Sequence, residues 1–388
     1  MIRVRLPRTL RAPARLRNEE GSTLLLVAVS MTALLSMIAL AVDMGLLFTA
    51  RGEAQRVADA AALAGAGSFI EDPDSEERAR NEAVRYAAMN DVRRLAVVLE
   101  PEDVEVNVAA WQVTVTVRRT GERGSAIGTW FAGLFGIDEV DVVAHATAEA
   151  VAAGAAVCMK PFAVPDAWDD DNNNLRFDEG EHYDANETGY GTDFRNGVPS
   201  DNGIDSPGTT YENDFGRPIR LKEGTPQETI VPSWYFPWDV PSPGGPANGA
   251  DRYRWNIANC NATIVSVGEE YMVENGNMTG PTRQGTQDLI DKDPDAHWDV
   301  DADSAVGSAY RPWKASPRVG NIPLFDPQWP VRPGKKPIQF NNITAFWIEG
   351  MQGNDVVGRF LYASGVLAGS PGAGSTTGPQ VKAVRLID

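Results

Sequence analysis

An uncharged, largely apolar stretch near the N-terminus is the strongest pattern in the chain. Residues 22–42 read STLLLVAVSMTALLSMIALAV and carry no ionisable side chain. At about 1.5 Å per residue, a helix of this length would cross a hydrocarbon core of about 30 Å. We therefore predict a transmembrane helix over residues 22–47. A secretory signal cleaved near Ala39-Leu40-Ala41 is the alternative.

The arm that precedes this stretch, residues 1–21, is basic. Its six arginines are Arg3, Arg5, Arg8, Arg11, Arg15 and Arg17. Positive charge beside a spanning helix is retained on the cytoplasmic side. We expect a single-pass protein with the N-terminus inside and everything after the helix outside.

Asp43 stands at the outer end of the apolar stretch. We predict that it lies at the membrane–water interface, where a carboxylate can reach water at modest cost. A contact with a partner helix is the alternative, because Ala39 and Asp43, and Ala41 and Gly45, place small side chains at four-residue spacing.

Helix-forming residues continue beyond the span. The run EAQRVADAAALAGAGSFI predicts that the first helix extends outward as one rod, with Gly65 and Gly67 loosening its end. A second helix is predicted in SEERARNEAVRYAAMND, with Asp74 or Ser75 as its N-cap.

The hydrophobic period then changes from helical to two. Two strands are predicted from alternating valines, namely Val104, Val106 and Val108, then Val113, Val115 and Val117. A short apolar helix, AIGTWFAGLFG, and a third strand, VDVVAHATAEAV, follow. This order predicts a pilin-like α+β module over residues 48–157.

The motifs RNEEGS, ALAVDMG and QRVADAAALAGA occur in this order between about Glu20 and Gly67. Together they resemble the N-terminal segment of the TadG-like proteins of the Flp pilus-assembly, or tight-adherence (Tad), system. FAGLFGIDEVDVVAHATAEA is similar to the end of the same module. The resemblance implies a bacterial inner-membrane anchor, a periplasmic or extracellular domain, pilus-assembly proteins as partners and no known catalysis. Five residues after Gly21 stands Leu26 and not the Glu of prepilins, so prepilin processing is not expected.

Composition shifts after Val157 toward Trp, Pro, Asn, Asp and Gly. Pieces such as ITAFWIEG and RFLYASGVLA read as strands between turns, so residues 158–388 are predicted to form a mostly β, loop-rich second domain. The first twenty residues carry a net charge of +4, which leaves −22 for the rest of a chain of net charge −18. An acidic body of this size argues against nucleic acid as a partner and is compatible with divalent cations.

The two cysteines, Cys158 and Cys260, both fall in the second domain. In an oxidising compartment two lone thiols usually pair, so we predict a disulfide; two buried free thiols are the alternative.

One acidic run, DDNNNLRFDEGE at residues 170–181, has the spacing of an EF-hand-type loop. The expected oxygen ligands are Asp170, Asn172, Asn174, the carbonyl of Arg176, Asp178 and Glu181. Six or seven oxygens in a flexible loop favour Ca²⁺ over Mg²⁺. Leu175 stands where such loops place Gly, so a weak structural site is expected. A solvated acidic turn is the alternative, and the similar run from Asp299 lacks the final Glu and reads as a surface loop.

Catalytic motifs are not apparent, and His145, His182 and His297 are far apart in sequence. The function expected is therefore assembly of a surface pilus. The alternative is a calcium-dependent adhesive or carbohydrate-binding ectodomain on a pilus-type anchor. In that case four aromatics could form a stacking platform, although burial in the core is the more ordinary interpretation: Trp234, Tyr235, Phe236 and Trp238.

Overall fold

The fold was analysed in a computed structural model. It describes residues 20–166, 172, 174, 176–178, 180–182, 216, 218–224, 230, 234–246, 249–274, 276, 278–328, 337–366 and 381–387, with side chains from residue 23 onward. The arm up to residue 19, Asp170 and Leu175 lie outside the described residues.

A single helix, α1 (Glu20–Ser68), begins the described chain and is 49 residues long. Its N-terminal part is long and apolar enough to cross a membrane, and the side chains of its apolar window are exposed. From Ala50 onward one face of the helix is buried. The predicted rod is confirmed, but Gly65 and Gly67 do not loosen it. At Gly65 the helix packs tightly, since a Cβ there would lie 3.0 Å from the carbonyl oxygen of Ala79.

The second helix, α2 (Glu76–Ala88), packs chiefly against α1 and also against the strand Val104–Asn107. Its residues Ala79, Ala83 and Ala87 are fully buried. Ser75 is its N-cap, as one of the two predicted candidates, and accepts a hydrogen bond from Arg78 N at 3.2 Å. Alanine at these positions lets the two helix backbones approach closely.

Strands follow in the order the valine pattern predicts, with short additions. They are β1 (Asp91–Val92), β2 (Leu95–Ala96), β3 (Val104–Asn107), β4 (Gln112–Arg119), β5 (Ile127–Gly128), β6 (Glu139–Val140) and β7 (Val142–Ala152). β4 pairs antiparallel with both β3 and β7. The predicted apolar helix is only one 3₁₀ turn, Ala132–Phe135, which ends at Gly136 in the left-handed conformation.

In its described residues, the second domain is mostly β with two α-helices. Its elements are β8 (Ala155–Ala156), β9 (Phe162–Pro165), β10 (Pro218–Glu223), β11 (Trp234–Pro237), α3 (Gly249–Ala258), β12 (Val265–Ser266), β13 (Glu270–Met272), α4 (Thr279–Ile290), β14 (His297–Asp299), β15 (Ser304–Val306), β16 (Val319–Phe325), β17 (Pro337–Gln352), β18 (Asp355–Leu361) and β19 (Lys382–Leu386). The overall class is α+β, as predicted.

Six strands of this domain form a closed ring. The order is β17-β16-β9-β11-β10-β18, and β18 pairs with β17 to complete it. β9 with β16 and β10 with β11 run parallel, whereas the other pairs are antiparallel. β17 is 16 residues long and pairs with β16 and β18, and through residues 337–339 also with β13 outside the ring. Closure removes exposed strand edges from the ring, and Tyr253, Ile257 and Leu289 of α3 and α4 contribute to its aromatic and aliphatic core.

The last strand, β19, returns to the first module. It pairs antiparallel with β7, with Val384 opposite Ala150, and so completes a four-stranded sheet in the order β19-β7-β4-β3. The predicted division of the chain assigns residues 382–386 to the second domain. In the structure they add a strand to the sheet of the first module, a pairing that no local pattern could indicate.

Candidate functional site

The carboxylate of Asp43 binds backbone N–H groups of the same chain. Its Oδ1 accepts a hydrogen bond from Trp130 N at 2.9 Å, and its Oδ2 accepts from Phe131 N at 2.9 Å and Ala132 N at 2.6 Å. The residue is only 2% exposed. Backbone N–H groups at the start of a helical turn lack intrahelical partners, and this carboxylate supplies them.

The segment bound by Asp43 is an apolar loop, which we define as residues 129–137. Its base is the β5–β6 pair, with Ile127 opposite Val140. Within the loop Thr129 N donates to Asp138 O at 2.9 Å, and Ile137 N donates to Ala132 O at 3.2 Å. Gly136 takes a φ of +83°, which favours glycine. The loop therefore has a defined conformation although its apolar side chains face outward.

The Ala-rich part of α1 lies on the sheet. Its buried side chains are almost all small: Ala50, Ala54, Val57, Ala58, Ala61, Ala62 and Ala66. They face Val113, Val115 and Val117 of β4 and the alanines of β7 within one core. Small side chains on α1 let the helix lie close to the sheet. The orientation of the sheet is therefore fixed relative to the helix axis.

Comparison with known proteins locates the similarity of this chain in α1. Residues 21–68 match the family described as Flp pilus-assembly TadE/G-like. Residues 21–68 are a TadE/G-like segment. The match ends at Ser68, where α1 also ends, so the family pattern comprises the apolar stretch, Asp43 and the small-residue face. No curated protein and no solved structure gave a match to the chain.

Three features of the TadE/G-like segment each have a structural role. The apolar stretch supplies a membrane-anchor-like helix, Asp43 binds the apolar loop, and the alanines pack on the sheet. Sequence reasoning noticed each residue type but missed the intrachain partner of Asp43. The signal was present, because an acid in an apolar run must find donors, but the donors lie 87 to 89 residues away.

The acidic run brings four of its predicted ligand residues together. Asp178 Oδ2 accepts hydrogen bonds from Asn172 Nδ2 at 3.0 Å and Asn174 Nδ2 at 2.6 Å. Glu181 Oε1 lies 3.5 Å from Asn172 Nδ2, and Glu181 Oε2 accepts from Asp178 N at 2.8 Å. The amides of Asn172 and Asn174 lower the pKa of the Asp178 carboxyl below its ordinary value. Glu181 is buried.

The backbone of the same run turns tightly around these side chains. Asn172 Oδ1 accepts from Asn174 N at 3.0 Å, and Asn174 Oδ1 accepts from Arg176 N at 2.8 Å. Within the described residues, no group of three or more His, Cys, Asp or Glu side chains could hold a metal ion. The described part of this run contains two carboxylates, those of Asp178 and Glu181, and Asp170 lies outside it. The similar run from Asp299 forms the β14–β15 hairpin, in which Asp299 Oδ1 accepts from Asp301 N at 2.9 Å.

Cys158 and Cys260 form a disulfide, which confirms the predicted pairing. Cys158 N also donates to Asn261 O at 2.8 Å, and Asn321 N donates to Cys158 O at 3.1 Å. The bridge therefore ties the segment before β9 to the residues that follow α3, beside the first residues of β16.

A polar contact joins the first module to the second domain. Glu71, just after α1, accepts from Lys314 Nζ at 3.3 Å and pairs with Arg78. Lys314 Nζ also donates to Tyr362 O at 3.1 Å. These residues border a cleft of about 720 Å³ between α1, α2 and the second domain.

The aromatic segment of β11 is core. Tyr235, Phe236 and Trp238 are at most 1% exposed, and Trp234 is half-buried. Trp238 packs edge-on against Phe340 at 4.9 Å between ring centroids. Side chains buried in this way cannot stack on a sugar, so this segment does not support the carbohydrate-binding interpretation.

Proposed function

We propose that this chain is an inner-membrane-anchored component of Flp/Tad pilus assembly, with its α+β module and second domain on the periplasmic side. The carrying observation is the TadE/G-like segment, which coincides with α1. The orientation is supported by the six arginines before the apolar stretch, because positive flanks are retained in the cytoplasm. The disulfide is consistent with an oxidising compartment.

The continuity of α1 supports an assembly role in particular. One uninterrupted helix runs from the apolar stretch into the core of the module, so the anchor and the module move as one body. A protein that presents a surface to other pilus-assembly proteins at the membrane needs a module that is held rigidly on its anchor helix.

Topology and role can be tested in the same strains. Alkaline phosphatase fused after Asp388 should be active, and a fluorescent protein that matures only in the cytoplasm should be dark at that position and bright at the N-terminus. Deletion of the gene should remove surface pili or adherence without slowing growth, and the wild-type gene should restore them. Cytoplasmic fluorescence from the C-terminal fusion would refute the topology, whereas a deletion strain with normal pili would refute the assembly role.

We further propose that the acidic run binds Ca²⁺ and orders the start of the second domain. The proposal is supported by the hydrogen bonds that bring Asn172, Asn174, Asp178 and Glu181 together. The two carboxylates are hydrogen-bonded to neutral amides, so their negative charge is not neutralised by these contacts. A divalent cation would neutralise it, and Ca²⁺ prefers such hard oxygen ligands. Arg176 would contribute its carbonyl and Asp170 a third carboxylate, both from the EF-hand spacing. We expect an affinity in the weak extracellular range, about 10⁻⁴ to 10⁻³ M.

The calcium proposal is tested by thermal unfolding of the detergent-purified full chain. Millimolar Ca²⁺ should raise the midpoint relative to chelator, as for any ligand that binds only the folded state, and Mg²⁺ should raise it less. Glu181→Gln should abolish the rise. Asp299→Asn is the matched control, because its amide keeps the turn contact of the β14–β15 hairpin, and it should leave the rise intact. An equal midpoint in Ca²⁺ and chelator for the wild type would refute the site.

A further inference from the structure

The apolar loop presents a contiguous set of exposed large apolar side chains on the first module. Leu134 is 84% exposed, Phe135 76%, Trp130 70% and Ile137 52%. No charged residue occurs from Gly128 to Ile137. Contiguous exposed apolar side chains on a well-ordered loop mark a contact surface and not a defect of packing.

Asp43 fixes the position of this loop along the axis of α1. Three backbone N–H groups of residues 130–132 bind a carboxylate that stands directly after the uncharged stretch of residues 22–42. That stretch is about as long as a bilayer core is thick. If α1 spans the membrane as proposed above, the loop lies at the level where the helix leaves the hydrocarbon region.

The chemistry of the loop matches that level. Trp is enriched where the hydrocarbon core meets the headgroups, and Trp130 supplies one. Phe and Leu accompany Trp on the apolar face of segments that lie in the interface, and Leu134 and Phe135 supply these. On α1 itself Met44 and Phe48, at 44% and 68% exposure, continue the apolar surface just beyond the uncharged stretch of residues 22–42. Asp138, Glu139 and Asp141 follow the loop, so attraction to anionic lipid does not contribute and insertion would be apolar.

We propose that the apolar loop inserts Trp130, Leu134 and Phe135 into the outer interface of the bilayer that α1 spans, as a second membrane contact of the module. Asp43 is the positioning residue that sets the depth of this contact. A single helix leaves a domain free to tilt and to rotate about the helix axis. A second contact to one side of α1 restricts both motions, so the four-stranded sheet and the second domain keep one orientation to the membrane. The inference rests on the proposed membrane anchoring.

The test uses the full chain in phosphatidylcholine vesicles, with single cysteines labelled by an environment-sensitive fluorophore. The two native cysteines are disulfide-bonded and remain unlabelled without reductant. Leu134→Cys reports on the loop. Met272→Cys, 48% exposed on β13 of the second domain, is the matched control. Lipids with a quencher near the headgroup should quench the label at residue 134 several-fold more than the label at residue 272.

Asp43→Ala tests the positioning role. In the Leu134→Cys background it should reduce the quenching, while the protein stays in the membrane fraction after alkaline carbonate extraction. Equal quenching at residues 134 and 272 in a chain that resists carbonate extraction would refute the loop contact alone. Release of the wild type by carbonate would refute the anchoring and this inference together. A label at residue 134 that lipid does not quench, and whose fluorescence changes only when other pilus-assembly proteins are added, would assign the loop to a protein partner and overturn the proposal.

Discussion

Arg385 and Glu149 join the last described strand to the sheet of the first module. The Nε and Nη2 atoms of Arg385 donate to the same oxygen of Glu149, at 2.8 and 2.6 Å. The two residues face each other across the β19–β7 pair and lie 236 positions apart in the chain. The sheet of the first module is therefore completed only when β19 has been made.

Removal of residues 381–388 should destabilise the first module and not only the second domain. The deletion exposes the edge of β7 and removes the buried Lys382, whose Nζ lies 4.4 Å from the centroid of the Trp111 ring. Hydrogen exchange of the β7 amides should become faster. Arg385→Ala is the milder variant and should cost about 1 kcal/mol or less, because the arginine is partly exposed. Unchanged β7 exchange in the deletion would show that β19 is dispensable for the sheet.

Gly65 and Gly67 provide a matched pair of substitutions in α1. A Cβ at Gly65 would lie 2.9 Å from Val113 Cγ1 and 3.0 Å from Ala79 O, whereas a Cβ at Gly67 would meet nothing within 4 Å. Gly65→Ala should destabilise the module by about 1 to 3 kcal/mol through overpacking. Gly67→Ala should stabilise it by up to about 1 kcal/mol through helix propensity. Thermal unfolding followed by circular dichroism measures both, and equal effects would contradict the close packing at Gly65.

Local patterns in the sequence predicted the two helices and the three longest strands of the first module. Alternating valines predicted β3 and β4, and Ser75 was one of two predicted caps for α2. Such signals depend on residues a few positions apart, which determine which face of an element is apolar. Gly65 was misinterpreted for the same reason. Its low helix propensity is a local property, whereas its close packing involves Ala79 and Val113, which are distant in the sequence.

Long-range pairings could not be predicted in this way. The donors for Asp43, the return of β19 to β7 and the closure of the six-stranded ring by β17 with β18 all depend on where separate elements meet. At the acidic run the spacing predicted four residues that the structure brings together, Asn172, Asn174, Asp178 and Glu181. Ion binding there stays a prediction, because Asn172 and Asn174 approach Asp178 through their Nδ2 donors, and a metal ion would need their oxygens.

Loss of the disulfide should lower the stability of the second domain substantially. Cys158 and Cys260 close a loop with a sequence separation of 102. In the chain-entropy model a loop of about 100 residues contributes about 4 to 5 kcal/mol. The variant Cys158→Ala/Cys260→Ala should unfold at a lower denaturant concentration by a corresponding amount. Reductant should destabilise the wild type and leave the double variant unaffected, and a wild type insensitive to reductant would contradict a structural role.

Lys160 should make the second domain more stable as the pH rises from neutral. The side chain is fully buried, and Nζ donates to Ile257 O at 2.7 Å and Asn259 O at 3.2 Å. Burial, with a smaller contribution from Lys292, lowers its pKa to about 7 from the model-compound value of 10.5. Between these two pH values the unfolded chain binds the proton that the folded chain has lost, so the free energy of unfolding rises with pH across that window.

The pH dependence due to Lys160 can be isolated by substitution. Denaturant unfolding at pH 7 and pH 9.5 should give a rise in stability for the wild type that is smaller in Lys160→Met, because methionine has no proton to lose. Lys382, whose pKa burial lowers to about 8, is present in both chains and cancels in the difference. Lys160→Arg should be destabilised at both pH values, since a guanidinium stays charged when buried. The same pH dependence in the wild type and in Lys160→Met would show that Lys160 keeps its proton in the folded domain, and that the carbonyls of Ile257 and Asn259 stabilise the ammonium enough to offset its burial.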